Sequence, residues 1–554
     1  MLDPQLILED DKYVDATAKA LEKVFEISNS AFNKILKEKS DVRYYVMKDY
    51  KGLKKEKVKA FKTLAKKDKN IKGVTFDERY KRYYPYSTVG SKVVGFCSTD
   101  NTGVWGIESK YNSSLNGVSG RRYGYFNTDL DLVETVNEPT NGNNITSTID
   151  VNVQGILERH MNTFQKNTGS KNMGCIIMNP QNGEIYAMSS YPEYNLNNPR
   201  DLSAFYSPEK VDKIWRNYCI SDAYEPGSTF KPMTVAACLD EGVTTGSRAY
   251  HCDGYQVING VRIKCVAYSR GGHGTINICQ SLMESCNDVL MQLGADLGKR
   301  KFLQYVNEFG FGKKTGIDLP GEATGGVFTN DTMHAVELAT SSFGQGQTVT
   351  MIQMAAAFSS VINGGNYYEP HVVKEVKSEN GAVLESNDNA LVRRVITENT
   401  SKKLRKYLYK TVEEGTALPA KVAGYQIGGK TGTAEKHPTG RGNYLVSFIG
   451  FATKDNPEVM IYVTIDEPHV ADQAHSTYAT QFSSEVLKEV LPVLGMYQDS
   501  STKKADKTKA SDIKLPSTKE APDGGYSDGT YSVAGDQTDR TDTANTASPV
   551  PSAE

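Results

Sequence analysis

Five predicted β-strands, separated by a long helical block, constrain the fold of this chain more than any other feature. Residues 174–180 and 184–190 are two apolar segments joined by Gln181-Asn182-Gly183, a strong hairpin signal. Helices dominate residues 208–361, and three more antiparallel strands are predicted after them, at 425–433, 445–453 and 459–464. Strands on both sides of the block predict one mixed antiparallel sheet, flanked by helices, that is assembled from both ends of a domain. The fold class is therefore α+β.

The segment from Glu225 to Pro232 carries the first chemical signal. Pro226-Gly227 interrupts the preceding structure, and the apolar run after it predicts a helix that starts near Ser228. Ser228 and Lys231 are three residues apart and would share one helix face. A hydroxyl at a helix N-terminus beside an amine suits a nucleophile and its base, with backbone N–H groups nearby to hold an oxyanion. The same spacing alone also fits a helix cap and a solvated lysine.

Two later segments decide between these interpretations. Ser285 and Asn287 lie in a short predicted loop between two helices, where they present a hydroxyl and an amide. The run Lys430-Thr431-Gly432-Thr433 lies in a predicted edge strand, where small residues let a substrate backbone approach. Ser-x-x-Lys, Ser-x-Asn and Lys-Thr-Gly, in this order, are the signature of penicillin-binding proteins and serine β-lactamases. Three ordered motifs in fitting contexts favour the catalytic interpretation.

Length, charge and hydropathy exclude several other functions. A chain of 554 residues is too long for one hydrophobic core and predicts two or three domains. The 64 basic and 66 acidic residues give a net charge of -2, so overall charge implies no polyanionic partner and no nucleic acid. No stretch reaches the roughly 18 apolar residues that a membrane span needs, and no signal peptide begins at Met1. A polar turn at 139–144 marks a domain boundary.

The eight cysteines contain no CxxC pair, which argues against a zinc ribbon or a thioredoxin-like motif. Cys252 and Cys265 flank a predicted hairpin around Gly254 and Asn259-Gly260, so we expect them to be near neighbours. They could form a local disulfide, join His273 in part of a metal site, or remain unlinked thiols. Metal analysis separates these alternatives.

With these motifs in place, the chain resembles the class B penicillin-binding proteins, the monofunctional peptidoglycan transpeptidases. The resemblance covers about residues 80–495 and extends beyond the three motifs to shorter matching segments. These are Gly103, Gly106 and Glu108, Thr148-Ile149-Asp150, residues 180–192, Gly344-Gln345-Gly346, and residues 350–357. It implies a pedestal, or dimerisation-type, domain at 1–143, a transpeptidase domain at 144–497 and a disordered tail at 498–554.

Members of that family normally begin with a membrane-spanning helix, which is missing ahead of Met1. The chain is therefore expected to be truncated at its N-terminus or to start late. A location at the cell membrane, with an extracytoplasmic catalytic domain, follows from the resemblance alone. The same resemblance implies a glycosyltransferase and divisome proteins as partners.

The resemblance assigns a role to each site residue. Ser228 would attack the D-Ala-D-Ala bond of a peptidoglycan stem peptide, and β-lactams would acylate the same hydroxyl. Lys231 would accept the proton, which requires a lowered pKa that burial and the charge of Lys430 favour. Ser285 would relay a proton and Asn287 would hold the substrate amide. The substrate carboxylate would bind Lys430, Thr431 and Thr433 beside Gly432, and the backbone N–H groups of Ser228 and Thr433 would form the oxyanion hole.

No metal and no cofactor is predicted at this catalytic site, and three rival functions stay open. A serine β-lactamase shares the motifs but needs a carboxylate to activate water, and no matching segment is evident. A DD-carboxypeptidase performs the same chemistry with water as the acceptor. A non-catalytic β-lactam-binding scaffold or sensor is the third, and the intact Ser228, Lys231 and Lys430 argue against a scaffold.

Overall fold

The computed structural model describes residues 1–76, 81–126, 132–201, 214–387 and 391–498. The chain divides into two compact units, Met1–Lys81 and Arg82–Glu554. The predicted tail at 498–554 lies outside the described residues except for Gln498. The domain boundary predicted after residue 143 does not coincide with the division between the two units and stays a prediction.

The first unit is helical. Asp10 and Ser28 cap two of its helices, since their side chains accept hydrogen bonds from the backbone N–H groups of Lys12 and Ala31. Its core contains the packed rings of Phe25 and Phe61, whose centroids lie 5.6 Å apart. The helices are α1 (Pro4–Ile7), α2 (Asp11–Phe25), α3 (Asn29–Glu38) and α4 (Lys55–Lys67), with a 3₁₀ turn at Lys48–Tyr50.

The second unit contains the helices that surround the catalytic motifs. None of the described helices combines the length and the hydrophobicity needed to cross a membrane. In the described part of this unit, 3₁₀ turns accompany them at Gly227–Phe230, Tyr268–Arg270 and Leu418–Ala420. The helices are α5 (Ser91–Val94), α6 (Gly106–Lys110), α7 (Asn112–Leu115), α8 (Val151–Asn167), α9 (Tyr218–Ser221), α10 (Lys231–Asp240), α11 (Ile278–Met283), α12 (Asn287–Leu297), α13 (Lys299–Glu308), α14 (Ala335–Ser342), α15 (Met351–Ile362), α16 (Glu398–Glu413) and α17 (Thr477–Val493).

The strands of the same unit form one large sheet and several small ones. The large sheet has the order β16-β17-β18-β4-β5 and is antiparallel throughout. The strands are β1 (Arg121–Phe126), β2 (Leu132–Asn137), β3 (Asn144–Ser147), β4 (Ser170–Met178), β5 (Ile185–Ser190), β6 (Ala223–Tyr224), β7 (Ala249–Cys252), β8 (Tyr255–Ile258), β9 (Val261–Lys264), β10 (Gly274–Asn277), β11 (Val349–Thr350), β12 (Asn366–Tyr367), β13 (Val373–Lys377), β14 (Val383–Ser386), β15 (Arg393–Arg394), β16 (Ile427–Glu435), β17 (Tyr444–Ala452) and β18 (Val459–Pro468).

The large sheet confirms the predicted fold class. Two of its strands precede the helical block and three follow it, and β16 is an edge strand as predicted. Side chains alternate between its faces. In β4, Ile176 packs into the core shared with the helical block, whereas Cys175 and Ile177 pack into the core that contains residues of α8 and α17. The sheet is therefore covered by helices on both faces, and its edge strand borders the helical block.

Two local predictions need correction. The sequence alone predicts a short strand from Thr146 to Asp150, but the observed strand β3 ends at Ser147, because Asp150 caps α8 through its carboxylate. The described part of the helical block also contains four strands of four residues each, with β7 paired to β10 and β8 paired to β9. The hairpin predicted around Asn259-Gly260 is the second of these pairs. Strands of four residues are too short to produce a clear alternation signal, which is why the other pair was missed.

A candidate active site with a neighbouring thiol cluster

The nucleophile candidate lies on a tight turn at the start of α10. Ser228 is in the 3₁₀ turn Gly227–Phe230, which leads directly into the α-helix that begins at Lys231. Pro232 occupies the second position of that helix, where a missing N–H costs little. Ser228 is only 3 % exposed. The helix start predicted near Ser228 is confirmed, although its first turn is of the tighter 3₁₀ type.

The turn is anchored by the segment that contains Gly344. The backbone N–H of Gly227 donates a hydrogen bond of 2.9 Å to the carbonyl oxygen of Gly344. Gly344 has a φ of +91°, and a Cβ atom there would overlap the carbonyl oxygen of Gly227. A glycine is therefore needed at position 344, both for its backbone conformation and for the close approach of the two segments.

Gly344→Ala is expected to move the Ser228 turn. The overlap should cost about 1–3 kcal/mol, as overpacking does in other cores. Gly381→Ala is the matched control, because Gly381 has a similar φ of +87° and a Cβ atom added there would have no neighbouring atom within 4 Å. Thermal unfolding and the rate of penicillin labelling should both fall further for Gly344→Ala than for the control. Equal losses of unfolding temperature and equal labelling rates in the two variants would contradict this account.

Lys231 reaches from α10 to the Ser285 loop. Its Nζ atom donates hydrogen bonds to the Ser285 carbonyl oxygen at 2.6 Å, to Ser285 Oγ at 3.0 Å and to Asn287 Oδ1 at 2.7 Å. Asn287 is the first residue of α12, and Ser285 lies between α11 and α12 with a φ of +54°. A non-glycine residue in this left-handed conformation is uncommon and is typical of functional loops. The loop thus presents two oxygen atoms of Ser285 to one ammonium group.

Lys430 reaches the same hydroxyl from the edge strand. Its Nζ atom donates to Ser285 Oγ at 2.9 Å, to the Thr431 carbonyl oxygen at 3.1 Å and to Thr431 Oγ1 at 3.3 Å. Both Lys231 and Lys430 are completely buried. Ser285 Oγ is therefore shared by two buried amines from opposite sides of the site. The structure brings these members of the three sequence motifs into one hydrogen-bonded group.

Small residues let strand β16 and the Ser228 turn pack together. A Cβ atom at Gly432 would overlap Ser447 Oγ and lie 3.0 Å from Thr229 Cγ2. A Cβ atom at Gly227 would lie 3.5 Å from the carbonyl oxygen of Thr433. The backbone of Thr433 therefore lies beside the turn that carries Ser228, as an oxyanion hole built from both residues requires. The roles predicted for Thr431, Gly432 and Thr433 stay predictions.

A cavity of about 160 Å³ opens next to this turn. It is lined on one side by Glu225 and on the other by Glu435 and His437. Glu225 accepts a hydrogen bond of 3.1 Å from the backbone N–H of Gly346, and His437 Nε2 lies 3.6 Å from its Oε1 atom. Burial raises the pKa of the Glu225 carboxyl above its usual range. The cavity is therefore lined by Glu225, which precedes the Ser228 turn, by the Gly346 segment and by the end of strand β16.

A cluster of sulfur and nitrogen atoms lies directly behind the Ser285 loop. Cys252 Sγ and Cys265 Sγ lie 3.4 Å and 3.6 Å from His273 Nδ1, which confirms that the two cysteines are near neighbours. The cluster has a fourth member, Cys286, whose Sγ atom lies 3.7 Å from Cys265 Sγ. Cys286 was not predicted to belong to this group, although its position between Ser285 and Asn287 is a signal that could have identified it. We call these four residues the thiol cluster.

Comparison with known proteins agrees with the geometry. The family model of the penicillin-binding protein transpeptidase domain matches residues 173–489, and that of the penicillin-binding protein dimerisation domain matches residues 2–147. The chain belongs to the class B penicillin-binding proteins. The predicted family and the predicted serine D,D-transpeptidase class of enzyme are thereby confirmed.

Individual relatives cover most of this class B penicillin-binding protein. Stage V sporulation protein D of Bacillus subtilis is 36 % identical over 491 residues, which are 87 % of this chain and 73 % of the relative. The probable peptidoglycan D,D-transpeptidase PenA of Neisseria meningitidis is 27 % identical over 431 residues, or 76 % and 69 % of the two chains. The solved structure of penicillin-binding protein 2X from Streptococcus thermophilus superposes with a TM-score of 0.75 at 25 % identity, covering 90 % of this chain and 76 % of that one.

Proposed function

We propose that this chain cross-links peptidoglycan through an acyl-enzyme on Ser228. The observation that carries the proposal is the shared hydroxyl of Ser285, which accepts hydrogen bonds from both Lys231 and Lys430. Two ammonium groups this close in a buried site repel each other, and burial disfavours the charged form of each. This environment favours a neutral amine at one lysine, and Lys231 lies one helical turn from Ser228.

The acylation step follows from this arrangement. Ser228 Oγ attacks the carbonyl carbon of the penultimate D-Ala of a stem peptide, and Lys231 Nζ takes the hydroxyl proton. The backbone N–H groups of Ser228 and Thr433 hold the oxyanion while the carbon–nitrogen bond to the terminal D-Ala breaks. Ser285 Oγ passes a proton from the lysines to the leaving amine. The stem peptide remains attached to Ser228 as an ester.

The second half-reaction reverses these roles. An amine of a second stem peptide attacks the ester carbon and loses its proton to the Ser285–Lys231 pair. Ser228 Oγ leaves and recovers a proton, so that the enzyme is regenerated and a peptide cross-link is formed. Before acylation, Lys430, Thr431 and Thr433 bind the terminal carboxylate of the donor peptide, which later leaves with D-Ala, and Asn287 holds the donor amide. A β-lactam follows only the first half-reaction and stays on Ser228.

Family membership supports a cellular location and partner proteins for this reaction. We place the catalytic domain outside the cytoplasmic membrane, where uncross-linked glycan is made, with membrane attachment as in other members of the family. A glycosyltransferase that makes the glycan strand, and proteins of the division machinery, are the partners that this location implies. The 36 % identity with stage V sporulation protein D, against 27 % with PenA, favours a role in sporulation.

Analysis of the reaction products tests the proposal. Purified protein is incubated with uncross-linked glycan that carries pentapeptide stems, and the digested products are separated and weighed by mass spectrometry. Cross-linked dimers that have lost one D-Ala are the expected result. Tetrapeptide monomers alone would identify a DD-carboxypeptidase. Unchanged pentapeptides, together with a penicillin-labelled Ser228, would identify a scaffold or sensor.

A further inference from the structure

The thiol cluster has the composition and the size of a metal site. Its four candidate ligand atoms, three Sγ atoms and one imidazole nitrogen, lie within 4.8 Å of one another. Cys252, Cys265 and Cys286 are buried, and His273 is half-buried. Soft thiolates with an imidazole are ligands that Zn²⁺ binds tetrahedrally, and they are unsuited to Mg²⁺ or Ca²⁺.

Three of the six distances between the ligand atoms match a tetrahedron around zinc. With Zn–S bonds of about 2.3 Å and a Zn–N bond of about 2.0 Å, adjacent sulfur atoms lie about 3.8 Å apart, and sulfur and nitrogen about 3.5 Å apart. The structure has 3.7 Å between Cys265 Sγ and Cys286 Sγ. It has 3.4 Å and 3.6 Å between the His273 nitrogen and the sulfur atoms of Cys252 and Cys265. The other three distances do not exceed 4.8 Å, about 1 Å longer than in the ideal tetrahedron.

The short strands bring the four ligands together from separate parts of the chain. Cys252 ends β7, and Cys265 follows β9. His273 precedes β10, which pairs with β7. Cys286 comes from the loop between α11 and α12. An ion bound by Cys265 and Cys286 would therefore link the β8–β9 hairpin to α11 and α12, the two helices that flank the catalytic loop.

The cluster is joined to the catalytic loop on both sides. Cys286 stands between Ser285 and Asn287 in the sequence. Asn287 Nδ2 also donates to the carbonyl oxygen of Lys264, the residue before Cys265. Both residues that bind Lys231 are therefore direct neighbours of a ligand. Any change at the cluster would shift the oxygen atoms that orient the lysine.

We propose that Cys252, Cys265, His273 and Cys286 bind one structural Zn²⁺ ion that fixes the Ser285–Asn287 loop. All four coordination positions are filled by protein, so the ion is a closed structural site and takes no part in the chemistry. The three thiols lose their protons when zinc binds. No metal is predicted at the catalytic site itself; the proposed ion lies next to that site, and its four ligands are positioning residues.

Metal analysis of the purified full chain tests the site itself. Protein prepared without chelators and passed through gel filtration should contain about one zinc ion per chain. Cys286→Ser and Cys252→Ser should lose most of it, and Cys279→Ser should keep it. Cys279 is the control because it lies in the adjoining helix α11 and is not a member of the cluster. Circular dichroism of each variant shows whether it remains folded.

Cobalt gives a second readout that depends on the ligands and not on the stability of a variant. Wild-type protein stripped of metal and titrated with Co²⁺ should develop sulfur-to-cobalt charge-transfer bands and intense visible bands of tetrahedral cobalt. A wild-type chain without zinc and without these bands would overturn the proposal. So would a Cys252–Cys265 disulfide in the wild-type protein, seen by mass spectrometry under non-reducing conditions. Zinc retained equally by Cys286→Ser would also overturn it.

The positioning role rests on the proposed function and is measured separately. Removal of zinc by a chelator should slow penicillin labelling of Ser228 on the order of tenfold, as loss of supporting contacts does in other metal sites, and added Zn²⁺ should restore the rate. Unchanged labelling after complete zinc removal would overturn the positioning role and leave the acyl-enzyme on Ser228 untouched. Labelling that persists in Ser228→Ala would instead overturn the proposed function, whatever the metal content.

Discussion

Ser228→Ala is expected to abolish covalent labelling by a fluorescent penicillin while the protein stays folded. The nucleophile candidate is the hydroxyl on the turn that faces the Lys430 strand, and alanine removes only its Oγ atom. A second hydroxyl of the site, Ser285 Oγ, accepts hydrogen bonds from both Lys231 and Lys430. Loss of one buried hydroxyl should cost about 1 kcal/mol of stability. Labelling on a gel and thermal unfolding measure the two quantities.

Ser281→Ala is the matched control for this variant. Ser281 is also completely buried near the site, but its Oγ atom donates to the carbonyl oxygen of Ile278 within helix α11. This control should label like the wild type. Undiminished labelling of Ser228→Ala would show that the nucleophile has been assigned to the wrong residue.

Lys231→Met should slow acylation by roughly 10²–10⁴-fold, the usual contribution of a positioned base. Methionine keeps most of the volume of the side chain but cannot accept the proton of Ser228. It also removes three hydrogen bonds that hold the Ser285 loop. The rate is measured from a time course of penicillin labelling at several concentrations.

Lys92→Met provides the comparison, since Lys92 is another buried lysine. Its ammonium group donates to the carbonyl oxygens of Ile214 and Arg216 and has no part in the catalytic motifs. This control should acylate at a rate close to that of the wild type. If Lys231→Met acylates within a factor of a few of this control, Lys231 is not the base.

The parts of the fold that depend on local pattern could be predicted from the sequence. The large sheet was predicted because each strand contains enough apolar residues for its type to be recognised, and the Asn182-Gly183 turn fixed one pairing. The edge position of Lys430 followed from the small residues around it. The short strands β7 and β10 were missed because four residues are insufficient to establish a period.

The chemistry of the site could be predicted only in part, because much of it depends on contacts between distant residues. The order of the three motifs located Ser228, Lys231, Ser285 and Lys430. The hydroxyl that the two lysines share could not be deduced, since it depends on how the Ser285 loop meets β16. The approach of Cys286 to Cys265 likewise depends on the β8–β9 hairpin lying against that loop. No sequence spacing encodes such a contact.

We expect Ser228 to form an acyl-enzyme that reacts with an amine and only very slowly with water. The hydrogen bonds described for Lys231 and Lys430 end on hydroxyl, amide and carbonyl oxygens. A carboxylate that activates water commonly contributes ~10² to 10⁴ in rate, and none of the three catalytic motifs contains one, so we expect a long-lived penicilloyl-enzyme. The most direct measurement mixes purified protein with a chromogenic cephalosporin. One stoichiometric burst followed by almost no further colour is the predicted result. Sustained turnover would contradict the account and identify a hydrolase.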